Sequence, residues 1–334
     1  MSASSPEKKV DATHDAPAAP AGGGHGGSHV VGWALAINLL IAVLKFVVAA
    51  VTRSTAMLAE ACHSLADTGN QVFLLLGIKL SGRRANDEHP FGYATERYFW
   101  AFIAALSIFL VGGAFSIYEG AHKVFGAGHG GEQEALGSPT WAFVVLGGSI
   151  VLELFSFLVA LKEFNKERGG RPLTEIVDEA RDPTVITVLF EDAAALLGLV
   201  LAFGGVFLTW WTGDQRWDGL ASVLVGLVLV VVAAFLARVT KSLLIGRSVP
   251  ARERARIEEI ARAARDVVGV VHIRTVHFGP DEVMCGLKLR FSPGLDTRAL
   301  EERINALEAA LRAELPHLVR IYVEPGFDEH PAPQ

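Results

Sequence analysis

The sequence predicts an α-helical membrane protein: six transmembrane helices followed by a small α+β domain. Three observations carry that expectation. Mean hydropathy is +0.36 over 334 residues, too apolar for an ordinary soluble chain of this length. Only 20% of residues are charged, against roughly a quarter in typical soluble domains. Those charges avoid the long apolar stretches and collect in the connections and in residues 251–334. The formal net charge of −6 leaves no global positive charge to engage phosphates, so a nucleic-acid partner is not expected. Two cysteines, Cys62 and Cys285, exclude a disulfide scaffold and a Cys-rich zinc fold.

A bilayer core about 30 Å thick takes roughly 20 helical residues to cross. Six stretches meet that length: Val30–Val51, Met57–Leu80, Phe99–Ala121, Trp141–Leu161, Val185–Trp211 and Leu220–Leu244. None shows the alternating pattern of barrel strands, and helices are the other way to satisfy every backbone amide in lipid. The bias of Lys and Arg sets the orientation. One side holds Arg53, Lys123 and Arg216; the other holds Arg83, Arg84, Lys162, Lys166, Arg168, Arg171, Arg181, Arg238, Lys241 and Arg247. Both termini are therefore expected on the cytoplasmic side, in the inner membrane of a bacterium. Residues 1–28 are Ala, Gly, Pro, Ser and charge, which predicts a disordered tail. They lack the form of a secretory signal, and Asp11 and Asp15 argue against a mitochondrial transit peptide. The membrane domain is expected over 29–246, the C-terminal domain over 247–326 and a short tail over 327–334.

Beyond Pro250 the periodicity changes. Ala251–Arg265 has helical spacing, with Ile257, Ile260, Ala261 and Ala264 on one stripe. Val270–Phe278 and Glu282–Phe291 alternate as strands about the turn Gly279-Pro280-Asp281. Thr297–Leu315 repeats Leu300, Ile304, Leu307, Leu311 and Leu315 as a second amphipathic helix, and Arg320–Glu324 makes a last strand. Helices over one sheet face are the expected arrangement.

An ionisable group near the bilayer centre costs from about 3 kcal/mol upward, so it needs a partner or a task. The second stretch carries Glu60, His63 and Asp67. His63 and Asp67 are four apart and share a face; Glu60 and Asn70 fall beside them. The fifth stretch carries Glu191 and Asp192, which point about 100° apart as helix neighbours. Glu153 lies in the fourth, Asn38 and Lys45 in the first. One imidazole with two or three carboxylates is a donor set for zinc, and manganese, cobalt or ferrous iron accept it too. The competing arrangement is internal pairing, for example Lys45 with Glu153. Cys62, adjacent to His63, faces elsewhere on the helix and is expected to pack.

Ser54-Thr55-Ala56-Met57-Leu58-Ala59-Glu60-Ala61-Cys62-His63-Ser64-Leu65-Ala66-Asp67 resembles the second-span signature of the cation diffusion facilitator family. His89-Pro90-Phe91-Gly92-Tyr93 resembles that family's loop after the second span. The resemblance runs from about Val30 to Pro325. It implies six spans, cytoplasmic termini and a ferredoxin-like C-terminal domain that dimerises. It also implies a homodimer exporting zinc or a related divalent cation against protons, with no cofactor and no enzymatic activity. The transport site it implies is His63 and Asp67 with Asp192 and Glu191; Glu60, Asn70 and His89 are secondary candidates. Val188 stands where many members have His or Asp. Leu189-Phe190-Glu191-Asp192 with Asn70-Gln71 is similar to the subgroup of mitochondrial zinc exporters. Tyr93 replaces a second loop histidine, and Leu287, Lys288 and Tyr322 stand near positions that hold metal in the tail of some members. His272, His277 and His317 are expected to be exposed or structurally satisfied. A membrane metal sensor and a channel are the readings that compete with a carrier.

Overall fold

The computed structural model describes residues 25–52, 55–126, 139–168, 172 and 179–326. Helix α1 (His25–Thr52) begins inside the segment expected to be disordered, and α2 follows at Thr55–Ser81. The third apolar stretch forms three helical pieces: α3 (Glu96–Ser107), a π-helical segment (Ile108–Ala114) and α4 (Phe115–Gly126). Then come α5 (Pro139–Arg168), α6 (Pro183–Thr212) and α7 (Arg216–Gly246). Among the described residues, four helical runs are long and apolar enough to cross a membrane: Glu96–Phe125, Phe143–Lys166, Pro183–Thr212 and the run from Arg216. Val31–Val47 is a shorter apolar helix.

Local chemistry sets the ends of α6. The Asp182 side chain accepts from the Thr184 amide at 3.0 Å, Pro183 occupies the first turn, and Gly213 takes φ 74° after the last. The third stretch lies against α7 along two glycine pairs. A methyl on Gly120 would sit 2.6 Å from the Gly219 carbonyl, and one on Gly226 would sit 2.8 Å from that of Gly113. Small residues allow this approach, which lets dispersion contacts replace a hydrophobic drive that lipid does not supply.

The C-terminal domain follows as α8 (Ala251–Ala263), β1 (Val267–Gly279), β2 (Glu282–Phe291), α9 (Thr297–Glu314) and β3 (Leu318–Pro325). The helix expected to reach Arg265 stops two residues earlier, where Asp266 adopts φ 64°. The sheet order is β1-β2-β3, antiparallel then parallel. These are the last five elements of a β-α-β-β-α-β pattern. Val283, Cys285, Leu287 and Leu289 alternate inward against Ile257, Ala261, Leu307 and Leu311. Burial pushes the Cys285 thiol up to about 12, so this cysteine is a packing residue.

Two latches dock this domain on the helical bundle. Arg320 donates to the Phe91 carbonyl at 2.9 Å and to Glu282 at 3.2 Å, with its guanidinium over the Phe91 and Phe278 rings. On the other side Glu253 pairs with both Arg181 and His317. Tyr98 holds the Arg181 carbonyl at 3.0 Å, and Arg97 pairs with Asp182 at 2.6 Å. His277 is buried behind this second latch, its Nδ1 on the Arg247 carbonyl at 2.9 Å and its Nε2 without a partner among the described residues.

Replacing Gly226 with Val should lower the melting midpoint in detergent by the equivalent of about 1–3 kcal/mol, the usual cost of overpacking. Gly204→Ala, where nothing lies within 4 Å, should leave the midpoint unchanged or slightly raised. Burial, reinforced by Arg181, holds His277 below its ordinary pKa of 6.5 despite the Arg247 bond. The neutral form is therefore the one that suits the docked state. Its contribution is full above pH 6.5 and falls as acid charges the ring. Protease resistance of the C-terminal domain should drop between about pH 6.5 and 5, and His277→Gln should flatten that drop.

Candidate metal-transport site

The acids on α6 diverge as helix geometry requires. Glu191 turns to α2, where Asn70 Nδ2 donates to its Oε1 at 2.8 Å and Gln71 Nε2 to its Oε2 at 3.2 Å. Asp192 turns to α5, where Ser156 Oγ donates at 2.8 Å. All five side chains are buried. The bonds span 121, 120 and 36 positions of sequence, so helix packing alone brings these groups together.

Asp67 lies close enough to repel both Glu191 and Asp192. Glu191 and Asp192 thus lie buried where α2, α5 and α6 meet, with the half-buried Asp67 near both. Hydrogen bonds from neutral amides orient Glu191 and one from a hydroxyl orients Asp192, and like charges held close in a dry interior repel strongly. Val188, fully buried one turn before Asp192, lines a narrow cleft beside it with Ala34, Ile37, Ser156, Val159 and Ala160. At this position α6 therefore presents an apolar side chain beside Asp192.

Glu60 and His63 fall on α2, but their side chains lie outside the described residues, as does that of Cys62. Among the described residues no group of three or more His, Cys, Asp or Glu side chains is placed to hold a metal ion. Asn70 presents an N–H to Glu191 and serves as a positioning group. His89 is exposed in the loop after α2, its ring against Tyr93 at 4.4 Å. Lys45 donates to Ser64 at 2.8 Å, and Glu153 is buried on α5 one turn before Ser156 and Phe157. His317 is satisfied by Glu253, as a structural histidine would be.

Two residues escaped sequence reasoning. Gln71 stands four after Asp67 and extends the His63–Asp67 stripe by a turn, a signal present in the spacing. Ser156 had none, because a serine in an apolar helix commonly bonds its own backbone.

A bundle of long apolar helices with converging buried acids and an attached α+β domain defines a membrane protein that handles cations. The model described as the cation efflux transmembrane domain matches residues 33–245, and the chain belongs to that family, the cation diffusion facilitators. The proton-coupled zinc antiporter SLC30A9, mitochondrial, of Xenopus laevis is 36% identical over 280 residues, covering 83% of this chain and 49% of the relative. Metal tolerance protein C4 of Arabidopsis thaliana is 30% identical over 297 residues, covering 88% and 62%. Magnetosome protein MamB of Magnetospira sp. is 24% identical over 296 residues, covering 88% and 93%. The chain spans about half the length of the SLC30A9 relatives. The SLC30A9 relatives are named as mitochondrial and MamB as a magnetosome protein, so the expected bacterial inner membrane draws no support from them.

Asn70→Leu should destabilise the detergent-purified protein by about 1–3 kcal/mol, because it strips a buried carboxylate of a donor. Adding Glu191→Gln should recover part of that loss in a thermal melt. Strict additivity of the two changes would show that the bond carries no coupling.

Proposed function

We propose that the chain exports zinc or a related divalent cation from the cytoplasm in exchange for protons. The observation that carries this reading is the pair of buried acids Glu191 and Asp192 on α6, with Asp67 of α2 near enough to repel both. A dehydrated dication would relieve that repulsion. His63, four residues before Asp67 on α2, contributes an imidazole to the set. Zinc is the favoured cargo because the SLC30A9 relatives are named proton-coupled zinc antiporters; Mn2+, Fe2+ and Co2+ suit the same donors.

Binding requires neutral His63 and ionised carboxylates, so metal entry and proton release are linked. Rocking of the helices about the fixed site would open it to each side in turn. In this reading α1, α2, the α3–α4 run, α5, α6 and α7 make six spans over 29–246, with both termini cytoplasmic as the Lys and Arg bias directs. Residues 247–326 form a ferredoxin-like domain that pairs two copies. Transport rather than catalysis is the activity proposed, in line with the family the chain belongs to.

In proteoliposomes, wild type should load zinc with counterflow of protons, and an imposed pH gradient should change the rate. Asp67→Asn and Asp192→Asn should each cut flux at least tenfold. Flux that persists in both would remove the site, and flux indifferent to the pH gradient would replace antiport with uniport.

A further inference from the structure

We propose that the side-chain carbonyl oxygen of Gln71 is a ligand for the transported cation, so that Gln71 sets which divalent ion the carrier prefers. The inference rests on the transport reading above.

Gln71 is fully buried. Its amide presents Nε2 to Glu191, the orientation that an ionised carboxylate, which accepts only, requires. The Oε1 prong is thereby turned off Glu191, and it has no hydrogen-bond donor among the described residues. A buried acceptor left unmet is costly, and proteins rarely keep one without a use.

Its surroundings say what meets it. Gln71 stands one helical turn beyond Asp67, which itself stands one turn beyond His63, so the three share one face of α2. Asp67 interacts with Glu191 and Asp192, and Gln71 touches Glu191 directly. A buried acceptor oxygen beside the acid Glu191, with Asp67 one turn before it on the same face, suits a cation, which would satisfy the oxygen and offset Glu191 together. Asn70 beside it spends its N–H on the same Glu191, so that carboxylate is held from both oxygens while Gln71 keeps one oxygen in reserve.

The chemistry gives the direction of the effect. A neutral amide oxygen is a hard donor that suits manganese better than zinc, whereas imidazole suits zinc. Removing the oxygen should therefore weaken manganese more than zinc.

The test is equilibrium binding of Zn2+ and of Mn2+, each alone, to the detergent-purified full chain, in wild type, Gln71→Leu, Gln71→Glu and Asn70→Leu. Gln71→Leu should weaken manganese about tenfold and zinc about threefold, which changes their ratio. Gln71→Glu keeps an oxygen at that place but loses the N–H to Glu191, and it should recover manganese binding. Asn70→Leu disturbs Glu191 alone and should leave the ratio unchanged. If Gln71→Leu and Asn70→Leu shift the ratio alike, or Gln71→Glu binds as weakly as Gln71→Leu, Gln71 only positions Glu191 and the proposal falls. Wild type that binds neither ion would instead sink the transport reading itself.

Discussion

Two acids buried side by side on one helix, Glu191 and Asp192, with a third beside them, are the constraint on which the rest of this molecule turns. The half-buried Asp67 repels both, and the two buried acids are poorly screened by solvent. The helices respond with neutral donors: Asn70 and Gln71 for Glu191, Ser156 for Asp192. Those donors are neutral, so they fix the direction of Glu191 and Asp192 without cancelling charge.

Around that centre the packing divides into two regimes. Helices α1, α2, α5 and α6 surround the polar groups, with bulky neighbours such as Val188, Leu74 and Phe164 closing the core. The π-helical third stretch instead meets α7 across glycines, backbone against backbone.

The C-terminal domain reaches the site indirectly. Glu253 grips Arg181, whose carbonyl Tyr98 holds, and the next residue, Asp182, caps α6. The carboxylates Glu191 and Asp192 lie about two and a half turns further along that helix. Arg320 makes a comparable grip on Phe91, in the loop that joins α2 to α3. Both helices that carry the acids are therefore tied at one end to the same small domain.

Element type was legible in the chain because it depends on neighbours in sequence. The apolar runs gave α6 and α7 within about four residues and the start of α5, which runs on seven residues past the expected Leu161, and the periods beyond Pro250 gave α8, β1, β2, α9 and β3 nearly to the boundary. The stripe His63–Asp67 and the pair Glu191–Asp192 were visible for the same reason, as was their ~100° divergence. What the carboxylates turn toward was not. Asn70 lies 121 positions from Glu191 and Ser156 lies 36 from Asp192, so only the crossing of whole helices assigns those partners. The break of the third stretch into a π-helical segment, the glycine seam and the two latches belong to the same category. Periodicity is a property of one segment read alone; partner choice is a property of surfaces, and it exists only once the segments have packed.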